Sequence, residues 1–231
     1  MIEETKKPIK TGVVTFLDVL GWKGVYNRKT DAIISLTNLV EGVSSLATRQ
    51  RGGKLNSDTL VKSISDTIAI FTPCTEEEFS IAIDIHGLLC QWIIPHSIEA
   101  EIPVRGATAF GEFEIKDSIF VGKAVDEAAS WHEQSDWIGV HLTPSAEYLF
   151  NVGSNPRWIE FTPPSKTPLK CKLHCVNWIP NWQDETKDRD IEYIKEKFRR
   201  LGPIVPELAG KFANTLQFIK DIKAKNSPDE T

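Results

Sequence analysis

The stretch 14-VTFLDVLGWKG-24 decides how the rest of the chain is read. Apolar and β-branched residues run from Val14 to Leu17 and then meet a carboxylate, Asp18, before Val19, Leu20 and Gly21. Residues of this kind favour a strand, so 12–20 reads as a buried strand with a charge near its end. A buried carboxylate is costly unless it is paired or binds a cation. Asp18 therefore needs a partner elsewhere in the chain or a bound cation.

Working outward, apolar positions at Ile33, Ile34, Leu36, Leu39, Val40, Val43 and Leu46 predict a helix over 30–50. A polar turn at 49–58 leads to LVKSISDTIAIF at 60–71, which reads as a hairpin turning at Ser65–Asp66. A strongly apolar helix follows over 75–96, with Thr75 as its N-cap, Glu77 and Glu78 in its first turn and Pro95 at its end. A strand over 102–112 ends at Gly111, a short strand lies in 113–120, and a helix starts near Gly122 and runs through KAVDEAASWHEQ. Beyond it come a strand at 137–143, a short helix in TPSAEYLF, strand signals within 157–178, and a helical tail over 187–225 broken at Gly202–Pro206. The order predicts an α+β domain over 11–180, ferredoxin-like βαββαβ, its mostly antiparallel sheet carrying helices on one side. Residues 1–10 read as a flexible N-terminus, 187–225 as a helical extension and 226–231 as a disordered tail.

The chain has 231 residues, 41% of them hydrophobic and 26% charged, enough for a sizeable core. A net charge of -5 argues against broad nucleic-acid binding, which needs a basic face, but allows a small anionic ligand held by local cations. The charged start MIEETKKPIK lacks the apolar core of a signal peptide, and no apolar run reaches the ~18 residues of a membrane span. A cytoplasmic protein with free thiols is expected. Cys171 and Cys175 flank His174, but the spacing suits no common zinc module, and packed cysteines on one strand face are expected instead.

Asp66, in the hairpin turn, is the partner that the fold offers Asp18. In a βαββ arrangement the first strand is central and lies beside the hairpin, so both carboxylates meet at one edge of the sheet. Their mutual repulsion is resolved by a divalent cation, and hard oxygen ligands suit Mg²⁺ or Mn²⁺, which commonly also bind substrate phosphates. The alternative is that both are ordinary turn or cap residues.

FLDVLGWKG, SISDTIAIF, VRGATAFGE and FVGKAVDEAAS, in this order, resemble class III nucleotidyl cyclase domains over roughly 10–150. The resemblance implies that Asp18 and Asp66 are the metal aspartates and that the Val19 carbonyl completes the second of two Mn²⁺ or Mg²⁺ sites. It places Phe16 and the turn of Leu20, Gly21, Trp22 and Lys23 beneath a triphosphate, whose oxygens main-chain N–H groups would cradle. Lys62 falls where adenylate cyclases read adenine. It further implies a homodimer with shared active sites, for which Trp22, Trp131 and Trp137 are interface candidates or, equally, core residues.

The departures are specific. The helix positions that hold an asparagine and a transition-state arginine in purine cyclases read Asp126 and Ser130. Arg105 and Lys123 are the nearest replacement cations, and Arg105 is taken as a catalytic candidate. The aspartate partner of the adenine-reading lysine falls near Ile119, so the purine signature is half absent. The pattern resembles one branch in particular, the pyrimidine cyclases of the bacterial Pycsar anti-phage system. That resemblance implies cyclic UMP or cyclic CMP made from UTP or CTP, acting on a separate effector protein. The competing readings are a purine cyclase, favoured by Lys62, and a silent cyclase-like domain that binds a nucleotide or partner. A diguanylate cyclase is disfavoured by the lack of a GGDEF-like hairpin.

Overall fold

A computed structural model describes residues 9–27, 29–50, 59–151, 155–182, 191–201 and 205–226. Most of the N-terminal segment, the 51–58 turn, Gly202 and residues 227–231 lie outside the described residues. The elements run β1 (Lys10–Val19), α1 (Ala32–Gln50), β2 (Leu60–Ile64), β3 (Thr67–Pro73), α2 (Phe79–Glu99), β4 (Val104–Lys116), β5 (Ile119–Val121) and α3 (Lys123–Gln134). They continue with β6 (Val140–Leu142), α4 (Pro144–Glu147), β7 (Trp158–Phe161), β8 (Leu173–Val176), α5 (Ile179–Trp182), α6 (Ile191–Arg200) and α7 (Pro206–Asn226).

The sheet is ordered β2-β3-β1-β4-β6-β8-β7, with β5 paired to β4. Every pairing is antiparallel except β4 with β6. The first strand is central, between β3 and β4, as its apolar run requires. The mainly antiparallel α+β fold expected from the sequence is the one observed.

Alternation along β1 sends its side chains into two separate apolar clusters. Val13, Leu17 and Val19 pack with α1 and α2 in the larger one. Val14 and Phe16 pack on the other face with Ala69, Phe71, Ala109 and Phe113, under α3. Helices therefore cover both faces, not one. The reason lies in α3, whose Ala124, Val125, Ala128 and His132 are buried; its alanines let the helix approach the sheet closely.

The boundaries of α2, β4 and β8 differ from expectation. α2 begins at Phe79 with Glu78 at its N-cap, so Thr75 is not the cap and Glu77 and Glu78 precede the first turn. The α2 helix passes through Pro95 to Glu99 instead of stopping there. Fourteen of its residues are buried, and side-chain donors serve carbonyls around the proline: His96 Nδ1 bonds Trp92 O at 2.7 Å and Ser97 Oγ donates to Ile94 O at 2.7 Å. Tertiary packing thus overrides the usual helix break. α2 is also long and apolar enough to cross a membrane, yet 72% of its most apolar window is buried in this fold. β4 does not end at Gly111 but continues to Lys116, because β1 pairs with it as far as Phe113. Finally, Cys171 is exposed and precedes β8, whereas Cys175 is buried within it.

α3 begins where Gly122 adopts φ 134, and a Cβ there would lie 2.4 Å from the Glu112 carbonyl oxygen. Gly122→Ala is expected to destabilise the fold by about 2–3 kcal/mol, read as a lower urea midpoint with an unchanged slope.

The tail joins the main core. Ile194 and Phe198 of α6 and Phe212, Phe218, Ile219 and Ile222 of α7 are buried in the cluster that holds α2. Trp137 is fully buried there, 4.6 Å between ring centroids from Phe218, and is a core residue, not an interface one.

Candidate active site at the end of the first strand

Asp18 is the last even-numbered residue of β1, so it projects on the face of Val14 and Phe16, beyond the end of the small apolar cluster. It stands opposite Thr67 of β3 and Arg105 of β4. Arg105 donates to Asp18 Oδ2 through Nε at 3.3 Å and through Nη2 at 3.2 Å. Its Nη1 donates to the carbonyls of Glu133 at 3.2 Å and Ser135 at 2.8 Å, at the C-terminal end of α3. Both side chains are largely shielded, at 11% exposure for Arg105 and 20% for Asp18.

Burial raises the Asp18 pKa above the usual carboxylate value, and the nearby Asp66 carboxylate adds to the rise. The Arg105 guanidinium and His132 oppose it. The Asp18 carboxylate is held by an arginine across the strand, beside a second carboxylate. The charge of Arg105 outweighs the repulsion from Asp66, and burial is what keeps the Asp18 carboxyl above its usual range.

Asp66 is brought there by the hairpin turn. Ser65 adopts φ 55, and the Asp66 carbonyl accepts the Val19 N–H at 3.1 Å. That bond ties the turn to the end of β1 at the residue after Asp18. The next bend carries φ 71 at Gly21 and φ 77 at Gly24, conformations that favour glycine. It closes with Val25 N–H on the Trp22 carbonyl at 2.9 Å, so the chain turns sharply between the aspartate and α1. Lys23 is exposed at its tip. Trp22 is half-buried and, with Leu36, Thr37, Ser63 and Ser65, lines a cleft of about 570 Å³ beside the Asp66 turn. Phe16 is buried on the other sheet face, that of Asp18, its ring edge-on to Phe120 at 5.5 Å.

The structure therefore gathers Asp18, Asp66, Val19 and Arg105 at one end of the central strands, with the Leu20–Lys23 turn next to them. Lys62 pairs with Ala69, which pairs with Phe16, so Lys62 shares the sheet face of Asp18 but lies two strands away. Ile119 is 65% exposed on β5. Asp126 and Ser130 are exposed on α3, where Ser130 Oγ donates to the Asp126 carbonyl at 2.7 Å. Lys123 is 85% exposed and pairs with Glu112.

One residue was missed by sequence reasoning. His132, on the last turn of α3, packs its ring 6.2 Å from Phe16 and feels the charge of both Asp18 and Arg105. Burial lowers its pKa, Asp18 opposes the shift and Arg105 adds to it. The available signal was its spacing of four from Ala128 and eight from Ala124, which puts it on the buried face.

Among the described residues no three His, Cys, Asp or Glu side chains converge on one point. A cation here would have two carboxylates and main-chain oxygen from the protein. That set fits Mg²⁺ or Mn²⁺, which take few carboxylates and complete their shell with water and substrate phosphate. It does not fit zinc.

No family model matches the chain, and no curated protein matches it in sequence. Solved structures do. The catalytic core of a rhodopsin-guanylyl cyclase with converted specificity, in complex with ATPαS, superposes at TM-score 0.52 with 18% identity, over 74% of this chain and 96% of that one. The adenylyl cyclase CyaB from P. aeruginosa gives TM-score 0.51 and 12% identity over 73% and 93%. An adenylate cyclase from Trypanosoma brucei, in its monomeric state, gives 0.50 and 13% over 78% and 94%. The chain thus has the fold of class III nucleotidyl cyclase catalytic domains.

Proposed function

We propose that the protein is a pyrimidine nucleotide cyclase, which converts UTP or CTP to the 3′,5′-cyclic mononucleotide and pyrophosphate. The observation that carries this reading is the pair Asp18 and Asp66, joined through the Val19 N–H bond at the mouth of a glycine turn, on a cyclase fold. Asp18, Asp66 and the Val19 carbonyl would hold two divalent ions, which supply a more acidic 3′-hydroxyl and charge neutralisation at the pyrophosphate. Phe16, Leu20, Gly21, Trp22 and Lys23 would line the triphosphate site, with the Leu20 N–H held by the Pro103 carbonyl at 2.8 Å and Lys23 adding charge from solvent.

The pyrimidine assignment rests on what the base-reading positions offer. Lys62 can donate to a carbonyl oxygen, and Ile119 supplies no acceptor for adenine's amino group. UTP and CTP both present the O2 oxygen. A purine cyclase is the second reading, supported by Lys62 alone.

Arg105 spends its donors on Asp18 and on two main-chain carbonyls. As a catalytic residue it would have to leave Asp18 when the ions arrive; in place, it orients the carboxylate. The exposed apolar residues Tyr26 and Ile33 line the Trp22 cleft and support a homodimer whose partner covers this end of the sheet. A product that acts on a separate anti-phage effector follows from the Pycsar resemblance.

Incubation with each of the four NTPs and Mn²⁺, with products identified by mass, tests the reading. A cyclic pyrimidine nucleotide is expected. Cyclic AMP or cyclic GMP as the main product would establish the purine reading, and no product from any NTP would sink both.

A further inference from the structure

The tail helix α7 reaches the candidate site through polar contacts, not only apolar ones. Lys211 is 7% exposed; its Nζ donates to Asp136 Oδ1 at 3.0 Å and to the Glu207 carbonyl at 2.7 Å. Asn214 Nδ2 donates to the Asp136 carbonyl at 2.8 Å and to Asp136 Oδ2 at 3.3 Å. Thr215 Oγ1, fully buried, accepts the Ile138 N–H at 2.8 Å. Three side chains within one turn and a half of α7 thus fix the segment Asp136–Ile138.

That segment continues directly from the one that holds Arg105. Ser135 precedes Asp136, and the carbonyls of Glu133 and Ser135 are the acceptors for Arg105 Nη1. The remaining donors of the same guanidinium lie on Asp18 Oδ2. Docking α7 onto the core needs only its apolar residues. Burying a lysine and a threonine as well costs desolvation, and what that placement achieves is a defined position for the 133–138 backbone.

We infer that α7 is a strut of the active site: Lys211, Asn214 and Thr215 set the 133–138 backbone, and through its carbonyls they set Arg105 and the Asp18 carboxylate. These three are positioning residues. The effect on metal binding rests on the cyclase reading above; the placement of Arg105 does not.

The test uses the full-length protein with Asn214→Ala and, as the near-isosteric change, Thr215→Val. The Nε–H resonance of Arg105 in ¹⁵N-labelled protein, identified by its loss in Arg105→Lys, reports whether the guanidinium stays on Asp18. Both substitutions are expected to shift or broaden it. Mn²⁺ affinity, measured without nucleotide from the free-ion EPR signal, is expected to change by about threefold or more, toward the tenfold typical of residues behind metal ligands. In the Arg105→Lys background the same substitutions should change it no further.

A helix that merely completes the core would lower Tm in both variants and leave the Arg105 resonance in place; that result overturns the inference. So does an Mn²⁺ affinity that stays constant, or that changes equally in both backgrounds. If the wild-type protein binds no Mn²⁺ and cyclises no nucleotide, the cyclase reading falls, and the strut stands or falls on the resonance alone.

Discussion

Asp66→Ala is expected to lower cyclic nucleotide formation by about 10³-fold or more while leaving the melting temperature at or above that of the wild type. The two effects have separate origins. On the proposed two-metal reading, activity is lost because Asp66 is one of the two carboxylates that would hold the ions, and Asp18 alone would not hold both. Stability is kept because the structural work of Asp66 is done by its backbone: the carbonyl that accepts the Val19 N–H survives the substitution. The side chain is half-buried beside Asp18, whose pKa it raises, so its removal relieves a repulsion. Calorimetry and a product assay on the same preparation check both halves. Full activity in Asp66→Ala would sink the metal-site reading; lost activity with a collapsed Tm would show only unfolding.

The second large effect is acid lability, centred on His86. This histidine is fully buried between α2 and the sheet, its Nδ1 2.6 Å from Thr15 Oγ1 and its Nε2 3.0 Å from Thr72 Oγ1. Thr15 in turn bonds Thr108 at 2.7 Å, and Thr72 bonds Thr59 at 2.9 Å. One imidazole thus joins hydroxyls from the three central strands. A neutral ring suits this site, since one nitrogen can donate and the other accept, and burial lowers the His86 pKa to about 3. His141, also fully buried, is lowered to about 4 for the same reason.

Depressed histidines have a definite sign. Near pH 7 the ring is neutral in both folded and unfolded chains, so its contribution to stability is complete. As pH falls below 6.5 the unfolded chain takes up a proton that the folded one refuses, and stability drops until the folded pKa is reached. Urea denaturation at pH 7, 6 and 5 should show a loss approaching about 1.4 kcal/mol per pH unit for each such histidine. His86→Leu should remove one proton's share of that slope, at the cost of lower stability at pH 7. An unchanged slope in His86→Leu would refute the assignment.

How far the fold was legible follows from which residues carried the information. β1, the β2–β3 hairpin and α3 were read because each has a local mark: an apolar run, a Ser-Asp turn, a glycine followed by spaced alanines. Pro95 misled because its penalty is local while the fourteen buried residues of α2 are not. Gly111 misled because only the partner strand shows that pairing continues past it. In the site, Asp18 and Asp66 were legible as a pair from topology. His132 was not, since nothing near it in sequence shows that the end of α3 leans over Phe16. The partnership of Arg105 with Asp18 depends on strand register, and its two carbonyl acceptors belong to a segment held by a helix some 80 residues further on.

The position of α7 bears on synthesis as well as on the finished molecule. Both aspartates and Arg105 emerge from a ribosome well before residue 206, and β1 finds its sheet partners by the end of β4. Until Phe218 and Ile222 arrive, the core that backs α2 is open and the backbone under Arg105 has no support from Lys211, Asn214 or Thr215. A prematurely stopped chain would carry the acidic pair without the helix that we infer to position Arg105 beside it.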